Sequence, residues 1–464
     1  MSRGNTWSVA IAGECMVTRP FAMHDEPKFL EVMERLRSSD FTYAHVETNF
    51  GEFGEVEAPA RSDQIGSYFM TDPQVAHDLR WAGVDIASLA NNHSFDYGAK
   101  GIFSTIKHVD AAGIKHAGTG RDLEEAREPG YLETRNGRVA LVSTSSGNKS
   151  HEWATPAKAS LAGRPGVNPL RATMRYVVDE EASEQLKAIG SKLGILRESH
   201  MRVEGSSGLL MRAVEGEFSL AMPNDQSTTG SNIFTPSDHF EVSSSGDGRD
   251  LAGNLRSIQE AAVMADLVLV AHHFSISEGG RGDAPPTFVR EFAHAAIDAG
   301  ADIFIGHGWH KTLGVEIYQG KPIFYGLGNF FAQSEFVRRV PFDAYESWGH
   351  DVDRLPTLTP AAHPLHPGLN AGNETWWSSA VINLALDDGE VREVELHPVE
   401  LGREVSKEAP LRRSVGSAKQ PLTDGRPMTA TDADAQRILE RYQRLSAGLG
   451  TTVVIEDGVG RIQI

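Results

Sequence analysis

Two histidines, three residues apart, follow a predicted buried strand in the second half of the sequence. The strand covers Asp302 to Ile305, and the segment after it is Gly306-His307-Gly308-Trp309-His310. Neutral imidazole is a good ligand for zinc, iron and manganese, and the glycines let the backbone turn sharply so that both rings can converge. A single histidine is usually an ordinary polar residue, but this spacing at a strand end favours metal binding.

A second polar cluster follows another predicted strand and precedes a predicted helix. Asn91, Asn92, His93 and Asp96 lie within six residues there. An amide oxygen can bind a metal, a neighbouring histidine can act as general acid, and an aspartate three residues later can orient that histidine. The same residues could instead form a turn that caps the helix beginning near Gly98. Both interpretations can hold at once.

Further strand ends also carry a carboxylate or a histidine. Glu14 follows the first predicted strand, Glu47 follows the next, and His272 and His273 end the apolar run that begins at Leu267. Because side chains alternate along a strand, only one of these two histidines can face the other polar residues, and we favour His273. Each carboxylate alone is a weak signal, but together the strand ends indicate a site at the carboxyl edge of a sheet.

Other kinds of active site find less support in the sequence. The single cysteine, Cys15, is next to Glu14, whose negative charge disfavours a thiolate nucleophile. There is no Gly-x-Gly-x-x-Gly after a strand, no Walker loop and no Gly-x-Ser-x-Gly motif. A nucleotide cofactor is therefore not predicted.

Composition narrows the classes of partner. The 464 residues carry a formal net charge of −19, which argues against nucleic acid or an anionic membrane as a partner, since both are recognised by basic surfaces. The longest apolar runs are far shorter than the roughly 20 residues of a membrane span, and we expect neither a signal peptide nor a membrane anchor. We therefore expect a soluble, cytoplasmic protein that acts on a small molecule and can form a homo-oligomer.

The elements that position these residues follow an alternating pattern. From residue 7 to about 145, short apolar runs alternate with helical stretches, such as the strand Asp85 to Leu89 between the helices Pro73 to Ala82 and Gly98 to Ala112. The alternation resumes after residue 250 and ends with a predicted β-hairpin around Gln319-Gly320. This pattern predicts an α/β protein, in the plainest case with a doubly wound sheet.

Two parts of the sequence depart from this rhythm. Residues 148–250 are rich in proline, serine and glycine, and we interpret them as an insertion or lid between the halves 1–147 and 251–335. Residues 336–464 begin with a loop-rich stretch, followed by strands near 377–386 and 391–398 and a charged helix near 430–446. We expect this extension to complete the same domain.

At these residues the sequence resembles the CapA family of poly-γ-glutamate capsule proteins, which belongs to the calcineurin-like metallophosphatase superfamily. Residues 90–98 are similar to that family's Ala-Asn-Asn-His…Asp-x-Gly block, and residues 306–310 to its Gly-His-x-x-His. Residues 320–330 resemble its Gly-Lys-Pro-Ile-x-Tyr-Ser-Leu-Gly-Asn-Phe. The likeness covers roughly residues 7–145 and 251–331.

The resemblance implies a four-layer αββα sandwich, with an insertion and a C-terminal extension, that holds two divalent ions, Mn, Fe or Zn. The implied metal ligands are Glu14, Glu47, Asn92, His273, His307 and His310. The implied catalytic pair is His93 as general acid and Asp96 as the residue that orients it; the implied substrate-binding residues are Arg19, Asn91 and Asn329. In this assignment His307 belongs to the second ion and His310 to the first.

The chain departs from the family pattern at three points. Glu14 replaces an aspartate, His273-Phe274-Ser275 replaces His-Trp-Gly, and the membrane anchor common in capsule proteins is not found. We therefore expect a metal-dependent hydrolase that activates water against an amide or ester bond, phosphoesters included, of a small acidic substrate. The alternatives are a capsule accessory protein without turnover and a metal-assisted lyase. Substrate specificity is expected in 148–250, Phe336 to Trp348 and Glu374 to Trp377.

Overall fold

The computed structural model describes most of the chain. The described residues are 6–52, 54–56, 68–197, 201–204, 210–213, 216–220, 233–279, 282–333, 374–402 and 425–464. Within them the protein is a mixed α/β structure with several sheets and eight α-helices. The predicted aromatic loop from Phe336 to Trp348 lies outside the described residues.

The helices and strands alternate along the chain, as predicted. The helices are α1 (Pro27–Arg37), α2 (Gln74–Trp81), α3 (Gly98–Ala111), α4 (Leu123–Arg127), α5 (Glu180–Leu193), α6 (Gly248–Met264), α7 (Thr287–Asp298) and α8 (Asp432–Ala447). The strands are β1 (Thr6–Met16), β2 (Phe41–Val46), β3 (Asn49–Phe50), β4 (Met70–Thr71), β5 (Val84–Ser88), β6 (Lys115–Ala117), β7 (Thr119–Gly120), β8 (Gly130–Thr134), β9 (Gly137–Ser145), β10 (Gly166–Val167), β11 (Ala172–Asp179), β12 (Leu196–Arg197), β13 (Met201–Glu204), β14 (Leu210–Ala213), β15 (Phe218–Leu220), β16 (Ile233–Ser237), β17 (Glu241–Gly246), β18 (Leu267–His273), β19 (Ile303–His307), β20 (Val315–Tyr318), β21 (Lys321–Phe324), β22 (Asn329–Ala332), β23 (Ser378–Asp387), β24 (Glu390–Glu400), β25 (Met428–Thr429), β26 (Val454–Glu456) and β27 (Val459–Gln463).

Strand β1 lies inside the larger, ten-stranded sheet. Its order is β26-β27-β24-β23-β1-β2-β5-β6, with β22 also paired to β1 and β25 to β24. On one edge β1 pairs in parallel with β2; on the other it pairs first with antiparallel β23 and then, from Glu14 onward, with parallel β22. The C-terminal strands and the N-terminal strands therefore share one sheet.

The second large sheet has six strands in the order β20-β21-β19-β18-β9-β8. Its centre is parallel, because β9, β18, β19 and β21 run the same way. Its edges are antiparallel, since β8 pairs with β9 and β20 with β21. The carboxyl ends of β18 and β19 bring His273 and His307 side by side in register.

Alternating side chains divide most of the core into three large clusters, beside a small fourth one around Tyr68, Met70 and Tyr97. Val9 of β1 packs between the sheets with Leu141 and Leu269, whereas Ala12 of the same strand belongs to a cluster with residues of α1, α2 and α3. A third cluster joins the opposite face of the six-stranded sheet to α6 and α7, through residues such as Val270. Burial of apolar side chains on both faces of each central strand explains their nearly continuous hydrophobic sequence.

Residues 148–250 contain a separate five-stranded sheet, in the order β12-β15-β16-β11-β17. Helix α5 packs against its strands β11, β12 and β16. Asp179 caps this helix by accepting a hydrogen bond from Ala182 N, and Gly194 ends it with a left-handed φ of 71°. Strand β17 also contacts α7 of the second half of the chain.

Several predicted elements are confirmed with small shifts of their ends. The hairpin β20–β21 turns at Gln319 and Gly320, whose positive φ angles of 51° and 76° are typical of a type I′ turn. The predicted C-terminal strands and helix correspond to β23, β24 and α8. The plain expectation of a single doubly wound sheet is wrong, because the described strands form two large sheets with antiparallel members. No helix in the described part of the chain is long and apolar enough to cross a membrane.

Candidate metal centre

The end of β1 is shaped by a close backbone contact. Glu14 N donates a hydrogen bond to Gly328 O over 2.9 Å, and the pairing register between β1 and β2 shifts between Ile11 and Glu14. A Cβ at Gly13 would lie 2.2 Å from Gly328 O, so glycine is required for this approach. The irregularity places the Glu14 side chain among the polar residues between the sheets.

The Glu14 carboxylate connects two elements of the site. Its Oε1 accepts a hydrogen bond from Gly308 N over 3.0 Å, and its Oε2 lies 2.7 Å from His310 Nδ1. His310 has a φ of 55°, which is uncommon for a residue other than glycine. Such backbone strain is characteristic of functional sites, where the surrounding structure maintains it.

The charges of Glu14 and His310 depend on each other. Burial opposes the charge of His310, but the carboxylates of Glu14 and Glu47 outweigh burial and raise the pKa of His310 to about 9. Burial alone would raise the pKa of Glu14, yet the nearby His310 charge holds that pKa well below its ordinary value. These two shifts favour opposite charges on Glu14 and His310, as in a buried ion pair.

Glu47 lies directly after β2 and is fully buried. Neither of its carboxylate oxygens has a hydrogen-bond partner among the described residues. The nearest imidazole nitrogens, Nε2 of His93 and Nε2 of His310, are both 3.9 Å from Oε1, which is too far for a hydrogen bond. Burial, followed by the charge of Glu14, raises the pKa of Glu47 well above its ordinary value.

His93 and Asp96 form a close pair. His93 Nδ1 lies 2.8 Å from Asp96 Oδ2, and this oxygen also accepts a hydrogen bond from Phe69 N over 3.0 Å. Asp96 is buried and His93 is 8% exposed, so only a small part of the imidazole reaches solvent. With Nδ1 directed at Asp96, His93 presents Nε2 towards Glu47.

The two histidines at the end of β18 point to opposite faces of the six-stranded sheet. His272 packs against Phe288 and Phe292 on the helix side, and its Nδ1 lies 2.7 Å from Thr144 Oγ1. His273 faces the larger sheet, where its Nδ1 lies 3.1 Å from His45 Nε2. The structure therefore brings His273 to the carboxylates and places His272 away from them.

His307 lies deep between the sheets. Its Nε2 is 2.9 Å from the hydroxyl of Tyr43, and its ring stacks on His45 with centroids 4.2 Å apart and planes 10° from parallel. Its Nδ1 is buried and has no hydrogen-bond partner in the described residues. Burial lowers the pKa of His307 to about 3, so the imidazole is neutral at physiological pH.

His45 is the polar residue at this centre to which the sequence analysis assigned no role. Its Nδ1 lies 2.6 Å from Ser88 Oγ, and the Ser88 hydroxyl is 2.6 Å from that of Tyr43. Burial and the neighbouring His307 lower the pKa of His45 well below its ordinary value. Its position two residues before Glu47 was the available signal, because residues i and i+2 share a face of an extended chain.

Side-chain donor atoms cluster in two groups that fit a metal ion. One group contains Glu14, Glu47 and His310; the other contains His45, Glu47 and His273. Within each group, one donor atom per residue lies within 4.8 Å of the others. Glu47 belongs to both groups, and its buried oxygens, which accept no hydrogen bond from the described residues, are what a cation would neutralise.

The remaining predicted residues surround these groups. The Asn91 side chain is buried; its Nδ2 donates to Val46 O over 2.8 Å and its Oδ1 accepts from His93 N over 2.9 Å, so it holds the turn. Asn329 Oδ1 lies 2.9 Å from His310 Nδ1, where it orients the imidazole. Asn92 lies in the same turn as His93, and Arg19 lies in the loop after β1.

One protein family matches the part of the chain that contains this centre. The family described as bacterial capsule synthesis protein PGA_cap matches residues 8–334, which include Glu14, His93 and His310. The chain belongs to this family. The match ends before the C-terminal strands β23 and β24, although both pair within the same sheet as β1.

Individual PGA_cap relatives differ in how much of the chain they match. Uncharacterized protein y4sH of Sinorhizobium fredii is 30% identical over 466 aligned residues, which cover 99% of this chain and 93% of the relative. The capsule biosynthesis protein CapA of Bacillus anthracis is 24% identical over 321 residues, covering 66% of this chain and 57% of CapA. A probable polyglutamine synthesis accessory protein of Mycobacterium tuberculosis is 26% identical over 247 residues, covering 53% of this chain and 44% of the relative.

Proposed function

We propose that this chain is a metal-dependent hydrolase whose dinuclear centre activates water against an amide or ester bond of a small acidic substrate. We further propose that its two large sheets and flanking helices form the four-layer αββα sandwich of the metallophosphatases. The observation that carries the proposal is Glu47, a fully buried carboxylate without a hydrogen-bond donor in the described residues, shared by two groups of potential ligands. Such a group is costly to bury unless a cation accompanies it.

The chain offers a mixed nitrogen and oxygen ligand set. Glu14 and His310 would hold the first ion, His273 would bind the second, and Glu47 lies within reach of both. Imidazole and carboxylate together suit zinc, iron or manganese. When bound, a pair of such ions supplies a nucleophile near neutral pH, by lowering the pKa of water, and polarises the bond to be cleaved.

His93 is placed to supply a proton to the leaving group. The Asp96 carboxylate accepts the Nδ1 proton of His93, so the opposite nitrogen, Nε2, is directed towards the carboxylate cluster. Asp96 itself is held by Phe69 N, and this second contact limits rotation of the pair. A general acid in this position contributes typically 10²- to 10⁴-fold to a hydrolytic rate.

Two observations bear on the bond that is cleaved and on the substrate: the net charge of the chain and the descriptions of its relatives. With a formal charge of −19, the chain needs local positive charge to accept an acidic substrate, and the metal centre together with Arg19 would provide it. The relatives that are described as polyglutamine synthesis or capsule proteins favour a glutamyl amide. The likeness to metallophosphatases favours a phosphoester as the competing choice.

The test begins with metal analysis of the purified full-length chain. We expect two equivalents of a divalent ion and turnover within a panel of γ-glutamyl amides, carboxyl esters and phosphoesters. His93→Ala should keep both ions and lose at least about 10²-fold in kcat, because it removes a proton donor and no ligand. His77→Ala, at an exposed position of α2, is the matched control and should leave kcat unchanged. A chain that binds no metal would refute the proposal.

A role in capsule polymer assembly without turnover is the second candidate, supported by the description of the Mycobacterium tuberculosis relative as a synthesis accessory protein. Under that role the ions would be structural. His93→Ala would then keep both metal and cellular polymer level, whereas Glu47→Gln would lose both. This pattern, together with no hydrolysis of any panel compound, would favour the accessory role over the hydrolase.

A further inference from the structure

We propose that His45 is a ligand of the second metal ion, which it shares with Glu47 and His273. The family motifs imply His307 for this ion and leave His45 without a role. This inference rests on the proposed dinuclear centre. It concerns which side chains of this chain complete the second ion's ligand set.

The first observation is the distance between His45 and His273. Their facing nitrogens, Nε2 and Nδ1, lie 3.1 Å apart, and both rings are buried. Two nitrogen ligands at about 2.1 Å from a common ion are separated by about 3.0 to 3.4 Å, the edge of an octahedron or a tetrahedron. The two imidazoles are therefore already at the spacing of adjacent ligands on one ion.

The second observation is the direction in which His45 is held. Ser88 Oγ lies 2.6 Å from Nδ1 of His45 and thereby leaves Nε2 as the nitrogen that faces the site. Metal-binding histidines typically have their other ring nitrogen fixed by a hydrogen bond of this kind. Glu47, two residues later on the same face, completes a group whose donor atoms all lie within 4.8 Å of one another.

The third observation is the packing of His307 on His45. The Tyr43 hydroxyl holds Nε2 of His307, and the His307 ring lies parallel to the ring of His45 at 4.2 Å. Stacked in this way, His307 packs against the face of the His45 ring and limits its rotation.

Tyr43 and Ser88 connect the two histidines from behind. The Tyr43 hydroxyl is 2.6 Å from Ser88 Oγ, so a continuous series of hydrogen bonds runs from His307 through Tyr43 and Ser88 to His45. All four side chains are buried. This series fixes the orientation of His45 through Nδ1, the ring nitrogen that does not face His273.

The deciding experiment follows each histidine directly. Full-length protein labelled with ¹⁵N-histidine is freed of metal and titrated with Zn²⁺, and ring nitrogens are assigned from the His45→Gln and His307→Gln spectra. We expect the second equivalent of Zn²⁺ to shift Nε2 of His45 by the amount typical of coordination. An unchanged Nε2 resonance of His45 would contradict the inference.

Metal affinity of the variants gives an independent readout. Measured with Co²⁺ by visible absorption, His45→Ala should reduce binding from two ions to one and leave the first affinity within about threefold. His307→Ala should weaken the second ion by at least about 10-fold, because it removes the ring that packs on His45. His272→Ala is the matched control, because His272 lies next to His273 in β18 but faces the helices. This variant should keep both affinities.

The possible failures are distinguishable. The absence of a coordination shift at His45, or retention of both affinities in folded His45→Ala, would overturn the inference and leave the hydrolase proposal intact. Binding of only one ion by the wild-type chain would overturn the inference together with the dinuclear centre on which it rests. If the wild-type chain binds no ion at all, the proposed function fails together with this inference. Circular dichroism and thermal unfolding establish that each variant is folded.

Discussion

At the scale of single residues, the centre combines charges that would be unstable alone. Glu14 is compensated by His310 at 2.7 Å, whereas Glu47 has no donor at hydrogen-bond distance in the described structure. The buried histidines on the six-stranded sheet, His273 and His307, have pKa values lowered first of all by burial and therefore offer neutral imidazole. One carboxylate is thus paired and the other is not, and a bound cation would compensate the unpaired one.

The pair His93–Asp96 yields a prediction at this scale. Asp96→Asn should lower kcat by about 10²-fold or more. An amide accepts hydrogen bonds from His93 Nδ1 and Phe69 N more weakly than a carboxylate does. Metal content, measured by plasma mass spectrometry, should stay the same. Asp110→Asn is the control, since Asp110 lies 3.3 Å from His116 in a similar pair on the surface. An unchanged kcat in Asp96→Asn would rule out a catalytic role for the pair.

At the scale of elements, contacts between distant parts of the chain hold the loops around the centre. The loop after β1 carries Arg19 and is fixed by Asp78 of α2, whose Oδ2 accepts hydrogen bonds from Phe21 N over 2.6 Å and Ala22 N over 3.0 Å. The N-terminus of α1 is tied to the C-terminal part of the chain by Glu26 and Arg426. Both contacts join segments that no local sequence pattern connects.

Removal of the Asp78 contact should cost stability. Asp78→Ala leaves two backbone N–H groups without their acceptor, and we expect the free energy of unfolding to fall by about 3 kcal/mol. Urea denaturation followed by circular dichroism measures this change. Asp78→Asn keeps one acceptor oxygen and should lose less. Equal losses in the two variants would show that the packing of α2, and not these hydrogen bonds, carries the effect.

The contact between Glu26 and Arg426 predicts a pH dependence. Hydrogen bonds from Arg426 are the main cause that lowers the pKa of Glu26 from 4.5 to about 2. Because the folded-state pKa is lowered, the stabilisation is fully present above the unfolded pKa and is lost as the pH falls from 4.5 towards 2. Glu26→Gln should therefore be less stable than wild type at neutral pH. Urea midpoints measured down to about pH 2.5 should converge, and a constant difference would contradict this account.

At the scale of the whole molecule, the C-terminal strands belong to the same core as the centre. β23 pairs with β1 from Thr6 to Ile11, and Ile382 and Leu384 of β23 pack in the cluster between the two large sheets. Tyr442 of α8 is buried in that cluster as well. The part of the chain that resembles the family is thus not a self-sufficient half of the structure.

Truncation tests this architecture. A chain ending at residue 335 would expose one edge of β1 and the apolar residues that face β23, and exposed edges of this kind promote aggregation. We expect the truncated chain to show no cooperative urea transition and to elute as aggregate on size-exclusion chromatography. The full-length chain, purified in parallel, should elute as a single species. A monomeric, cooperatively folding fragment would show that the C-terminal strands are an accessory layer.

The sequence alone determined which strand ends carry ligand-type residues and that helices and strands alternate. Glu14, Glu47, His93 and His310 could be selected because residue type, strand alternation and turn-forming glycines are local properties. The hairpin at Gln319-Gly320 was predicted correctly for the same reason. Nothing local indicates, however, which strand becomes the neighbour of β1 or which sheet lies opposite it.

Only the tertiary structure decided which side chains face one another. His45 and His273 are 228 residues apart in sequence, and their nitrogens meet because the ends of β2 and β18 lie opposite each other in two separate sheets. His307 lies deep between the sheets, where the Tyr43 hydroxyl holds Nε2 and leaves the buried Nδ1 without a hydrogen-bond partner in the described residues. A coordination set depends on directions in space, and these arise from packing between sheets, which a one-dimensional pattern does not contain.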